Sequence, residues 1–137
     1  MAKILVIDDE PNIRTLIDLL LSRQGFDVLL ADNGWTGLQL YRQEHPDVIV
    51  LDLRMPEMDG VTVLKEIRRV DLKQPVIIWS GDTTPEMERE VRALGVSEFI
   101  VKGSSLGCLC DTLKRFLQAP APPAPCSRPG DLILDGD

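Results

Sequence analysis

The sequence predicts an α/β fold built on a five-stranded parallel sheet flanked by five helices, and three observations carry that expectation. Five short apolar runs, each of strand length, recur along the chain. Amphipathic stretches with helical spacing separate them. Prolines and glycines stand at the junctions between the two kinds of segment. Alternation of this kind calls for a parallel sheet, because each right-handed crossover returns over the sheet and leaves helices on both faces.

The first run, Ile4 to Ile7, is apolar at every position, which suits a strand buried on both sides. Pro11 then suits a first helical turn. Ile13, Leu16, Ile17, Leu20 and Leu21 follow at i, i+3, i+4, i+7 and i+8, a core-facing stripe that ends at Gly25. Val28 to Ala31 forms the second strand, and Leu38 with Tyr41 marks a shorter helix before Pro46. Val48 to Leu51 is the third strand, followed by a helix through Val63, Leu64 and Ile67. Pro75 precedes the fourth strand, Val76 to Trp79; Met87, Val91 and Leu94 mark the next helix, closed by Gly95. The last unit pairs Phe99 to Val101 with a helical stripe of Leu106, Leu109, Cys110, Leu113 and Phe116.

The chain has 137 residues, a length that buries a substantial core without a metal or disulfide framework. Its 44% apolar and 27% charged residues are those of an ordinary globular protein rather than a disordered or collagenous one. With 15 Lys and Arg against 22 Asp and Glu, the net charge of −7 argues against direct nucleic-acid binding, which needs clustered cations. The first apolar run meets Asp8-Asp9-Glu10 after four residues, too short for a signal-peptide core or a membrane span, so a cytoplasmic protein is expected. Cys108, Cys110 and Cys126 have neither metal-knuckle nor disulfide-framework spacing and read as inert thiols.

In an open parallel sheet, ligands bind beyond the carboxyl ends of the strands. The chemistry-bearing residues of this chain fall there. Asp8 and Asp9 directly follow the first strand, Asp52 the third, Ser80 the fourth and Lys102 the fifth. If strands one and three are neighbours, three carboxylates converge, and such a group resists joint ionisation unless a cation neutralises it. Hard oxygen ligands with room for water and phosphate oxygens suit Mg²⁺. A hydroxyl and an ammonium facing those acids form a cradle for a phosphoryl group, with Asp52 as nucleophile.

Each residue alone has a plainer reading. Asp8-Asp9-Glu10-Pro11 could cap a helix, Asp52 could end a strand, and Ser80-Gly81-Asp82 could be an ordinary loop. Phe99 and Trp79 could both be core. Their coincidence at one sheet edge favours the functional reading. His45, just before Pro46, reads as a surface helix-end residue and not as a phosphodonor.

Taken together, Asp8-Asp9, the run Asp52-Leu53-Arg54-Met55-Pro56-Glu57-Met58-Asp59-Gly60, Ser80-Gly81 and Lys102 resemble the receiver domain of two-component response regulators, over about residues 2 to 117. The resemblance implies a flavodoxin-like receiver fold with strand order 2-1-3-4-5. It implies that Asp52 accepts a phosphoryl group from a sensor histidine kinase or phosphotransfer protein, stoichiometrically rather than as an enzyme. It assigns Mg²⁺ to Asp8 through a bound water and to Asp9, Asp52 and the Arg54 backbone carbonyl directly. Lys102 becomes the phosphate-binding lysine, and Ser80 and Phe99 a switch pair that alters the face of the fourth helix, fifth strand and fifth helix, with homodimerisation there as one outcome. No membrane or nucleic-acid partner is implied for this chain.

An aspartyl-nucleophile phosphatase would place its nucleophile after the first strand with a second Asp two residues on, unlike Asp8-Asp9-Glu10. A flavodoxin-like cofactor module needs free backbone N–H groups in that first loop, where acids repel a phosphate. The stronger alternative is a degenerate receiver that binds partners without phosphorylation, because Gly103 follows Lys102 where the family usually has proline. The expected organisation is a receiver domain at 1–117 and a Pro/Ala-rich linker and tail at 118–137. That last segment holds five of the ten prolines, and its Gly130 to Asp135 weakly resembles the opening strand of a winged-helix output domain.

Overall fold

A computed structural model describes residues 2–81, 83–103 and 106–117. The expected linker and tail at 118–137, with Cys126, lie outside the described residues. The element order is β1 (Lys3–Ile7), α1 (Pro11–Arg23), β2 (Asp27–Ala31), α2 (Gly34–Glu44), β3 (Val48–Leu51), α3 (Gly60–Val70), β4 (Val76–Ser80), α4 (Pro85–Ala93), β5 (Glu98–Val101) and α5 (Leu106–Leu117). All strand pairs are parallel and the order is β2-β1-β3-β4-β5, as the resemblance implied.

Alternate strand residues feed two cores. Leu5, Ile7, Ile49, Leu51, Val76 and Ile78 face Leu38, Val63, Leu64, Ile67 and Val91 of α2, α3 and α4. Ile4, Val6, Val48, Val50, Ile77 and Trp79 face Ile17, Leu21, Leu109 and Leu113 of α1 and α5. Burial of both strand faces explains why the strands read as continuous apolar runs; each such side chain contributes roughly 1.5–3 kcal/mol.

Helix ends follow local rules. Pro11 and Pro85 occupy first-turn positions, and Asn33, Asp59 and Thr84 cap their helices by accepting from Thr36, Thr62 and Met87 backbone N–H groups. Gly25 and Gly95 take positive φ just past α1 and α4. His45 is the exposed, left-handed C-cap of α2, as its surface reading required.

Two stripe residues depart from expectation. Leu16 is 44% exposed and Phe116 43% exposed, although both fit the apolar period. Only α1 and α5 cover their side of the sheet, and the arc of a helix that touches a flat sheet is narrower than its apolar stripe, so the flanking positions face outward. Cys110 is a free, half-buried thiol. The described residues contain no cis peptide bond, so the Lys102–Gly103 bond is trans. No described helix is long and apolar enough to cross a membrane.

Candidate functional site

Strand register assembles the site. Ile7 pairs with Leu51, so the residues that follow them, Asp8 and Asp52, emerge side by side at the carboxyl edge. The Asp52 N–H donates to the Ile7 carbonyl at 3.0 Å, and the Asp8 N–H donates to the Ala31 carbonyl at 3.1 Å. On the other flank Ser80 pairs with Val101, and the Lys102 N–H donates to the Ser80 carbonyl at 2.9 Å. All five strands therefore fix the backbone beneath these side chains.

The Asp52 carboxylate is almost wholly buried and fully engaged. Its Oδ1 accepts from the Arg54 N–H and from the Ser80 hydroxyl, each at 3.1 Å, while Oδ2 accepts from Lys102 Nζ at 3.2 Å. Burial raises its pKa above the ordinary carboxylate value, and the charge of Asp8 adds to the rise against opposition from the Arg54 N–H and Lys102.

Lys102 is the hub of the cluster. Its ammonium lies 2.6 Å from Glu10 Oε1, 3.0 Å from Asp8 Oδ2 and 3.2 Å from Asp52 Oδ2. The Asp8 contact is an ion pair without hydrogen-bond alignment, which leaves the buried Asp8 Oδ2 without a hydrogen-bond donor. Burial pulls the lysine pKa down, but the bond to Glu10 and the close negative charges of Asp8 and Asp52 outweigh it, so the net shift is upward.

The plain capping role fails for the first acids. Glu10 is the N-cap residue of α1, but its side chain makes no capping bond. The Asp8 Oδ1 instead accepts from the Glu10 N–H at 2.9 Å. Glu10 is thus released to reach Lys102, a role that sequence reasoning missed. Asp9 is half-buried and lines the same cleft, of about 390 Å³, with Glu10, Asp52, Arg54, Gly81 and Lys102. Burial and then the Asp52 charge raise its carboxyl pKa.

Carboxylate oxygens of Asp8, Glu10 and Asp52 lie within 4.8 Å of one another, an arrangement that can hold a metal ion. The donor set is all oxygen, and the orphaned Asp8 Oδ2 is an available ligand atom, so these residues fit a hard cation.

The switch pair is placed unevenly. Ser80 is fully buried and already donates to Asp52. Phe99 is half-buried against the α2–α4 core, and the Arg92 guanidinium lies 5.5 Å from its ring centroid. Trp79 is core, on the opposite face of the sheet.

Residues 4–114 match the response regulator receiver domain family. The chain belongs to that family. Over 116 residues this receiver domain is 38% identical to the regulatory protein AtoC of Escherichia coli, covering 85% of this chain and 25% of AtoC. It is 37% identical over 101 residues to the chemotaxis protein CheY of Bacillus subtilis, covering 73% of this chain and 84% of CheY. Among solved structures, the chemotaxis protein CheY4 of Vibrio cholerae superposes with a TM-score of 0.79 at 32% identity, covering 85% of this chain and 99% of CheY4. Receiver membership accounts for the acid cluster at the edge of β1 and β3, where the geometry fits a phosphorylation site.

Proposed function

We propose that this receiver accepts one phosphoryl group on Asp52 from a sensor histidine kinase or phosphotransfer protein, in a Mg²⁺-dependent, stoichiometric reaction in the cytoplasm. The observation that best supports this reading is the Asp52 carboxylate itself, buried at a strand end with Arg54 N–H and the Ser80 hydroxyl on one oxygen and Lys102 on the other.

Asp8, Asp9, Asp52 and the Arg54 carbonyl are the proposed holders of the cation. When bound, Mg²⁺ supplies charge neutralisation for the acids and for the arriving phosphoryl oxygens. Asp52 attacks phosphorus, a P–O bond forms as the donor's P–N bond breaks, and the released imidazole takes a proton from solvent. Lys102 and Ser80 meet the charge of the transferred oxygens. Ser80 then exchanges its bond to Asp52 for one to the phosphoryl group, and Phe99 turns inward. The face of α4, β5 and α5 changes with it, by a shift in population between two arrangements. That face is the proposed contact with an output or with a second copy. On this reading residues 1–117 are the receiver and 118–137 a Pro/Ala-rich linker and tail.

A second reading, a binding module without regulated phosphorylation, draws on Gly103, which replaces the family's usual proline beside Lys102. Incubation with Mg²⁺ and acetyl phosphate separates the two. The proposal expects intact-mass addition of one phosphoryl group, abolished by Asp52→Ala. Absence of labelling supports the second reading, and undiminished labelling of Asp52→Ala refutes the acceptor assignment.

A further inference from the structure

The α2–α3 side of the sheet carries a groove that the phosphorylation chemistry does not use. Its cavity is about 380 Å³, walled by Trp35, Leu38 and Arg42 of α2 and by Met58, Thr62 and Glu66 from the α3 side. Trp35 is 64% exposed, whereas the only other tryptophan, Trp79, is 2% exposed. Trp35, Leu38 and Arg42 stand at i, i+3 and i+7, so one stripe of α2 runs from an exposed indole, past an apolar floor, to a guanidinium. Arg42 is exposed and makes no ion pair or hydrogen bond with any described residue. Glu66 is engaged away from it, 3.4 Å from Arg69 on its own helix.

A single helix stripe therefore offers an unpartnered aromatic face and an unpartnered guanidinium, about 10 Å apart along the axis. Neither can satisfy the other within one chain. We propose that this groove is a homodimer surface, in which a two-fold axis near Leu38 sets the α2 helices of two copies antiparallel, so that each Trp35 stacks on the other copy's Arg42. A two-fold interface makes every contact twice, and here the two ends of one stripe are complementary to each other, which is what self-association needs. Arg over an indole face is a favourable cation–π pair within about 6 Å, and Trp and Arg are the residue types that dominate interface energetics. Leu38 and Met58 are already buried in the core beneath the stripe and form the floor of the groove, so the apolar surface available to a second copy is that of the exposed Trp35 indole. The groove borders β2 and β1, whereas α4, β5 and α5 lie at the other end of the strand order. Association through α2 therefore uses a surface apart from the α4, β5 and α5 face, and its test on the unphosphorylated chain does not require the reading given for Asp52.

The test is sedimentation velocity on the unphosphorylated chain, as a concentration series at physiological salt. A reversible monomer–dimer equilibrium is expected, with Trp35→Ala and Arg42→Gln each raising the dissociation constant by about tenfold or more. The paired exchange W35R/R42W should return the dissociation constant to within about threefold of the unsubstituted chain, because an aromatic ring still meets a guanidinium across the two-fold. All three variants change exposed side chains, and unchanged thermal melts verify their folding. A monomer at every concentration overturns the proposal, as does a dimer insensitive to both single changes or a paired exchange no better than either.

Discussion

Gly60→Ala and Gly34→Ala are the same chemical change at the first position of two helices, and the structure predicts opposite consequences. A Cβ at Gly60 would lie 2.3 Å from the Asp52 carbonyl oxygen and 2.7 Å from Leu53 Cα, both backbone atoms. To reach an ordinary contact of 3.4 Å, the end of β3 and the start of α3 must part by about 1 Å. That movement disrupts the 3.0 Å bond from the Gly60 N–H to the Leu53 carbonyl. Overpacking against rigid atoms costs about 1–3 kcal/mol, and a lost hydrogen bond about 1 more. For a domain of this size the sum lowers the melting temperature by roughly 8–15 °C. The displaced atoms carry the Asp52 carboxylate, so the initial rate of acetyl phosphate labelling should fall by roughly tenfold or more at a temperature where the variant is folded. At Gly34 the Cβ would meet the Met58 sulfur at 2.7 Å and Val63 Cγ2 at 2.8 Å. Both are side-chain atoms, and methionine re-packs easily; alanine also gains up to about 1 kcal/mol of helix propensity. Its melting temperature should stay within about 4 °C of the parent, with labelling nearly unchanged. Calorimetry and intact-mass kinetics measure both quantities. If the two variants melt and label alike, the close approach at Gly60 does not hold Asp52 in place.

Two further outcomes follow from the charges of the cluster. Lys102→Met leaves Asp8 and Asp52 buried without a counter-charge and should cost about 3–5 kcal/mol in EDTA, and markedly less in saturating Mg²⁺, whereas Glu10→Gln, at an exposed position, should cost under about 1 kcal/mol; thermal melts in both buffers check this. Asp52 has its pKa raised in the fold, so its contribution to stability is present below the unfolded carboxylate value and lost as pH rises through the folded one. Metal-free Asp52→Asn should therefore be more stable than the parent at pH 7 and lose that advantage towards pH 3; a constant difference across that range refutes the assignment.

The alternation of elements was legible because the two packing environments leave different signatures. Strands covered on both faces are apolar throughout, as in Val48 to Leu51, while helices covered on one side keep a period near 3.6. Strand order was not legible in that way. No residue in β2 specifies that it pairs with β1 at the sheet edge, and the order came with the family resemblance. The outward positions of Leu16 and Phe116 were hidden for a related reason: periodicity marks which side of a helix is apolar, but not how wide a strip of it the sheet covers.

Asp8, Asp52, Ser80 and Lys102 were legible as a group because each stands at a strand end, where sequence position and spatial position nearly coincide. Glu10 belongs to the same cluster, yet its reach to Lys102 spans 92 residues and depends on a local event, the capture of its own N–H by Asp8. The only available signal was its place just before Pro11, which fixes the start of α1 at the sheet edge. This arrangement gives Lys102 two successive duties on the proposed reading. Without a cation it is the counter-charge that lets two carboxylates remain buried together. A divalent cation can take over that neutralisation, and the ammonium is then available to the phosphoryl oxygens arriving at Asp52. The contacts that hold the lysine in the cluster would therefore lower the net affinity of these acids for a cation.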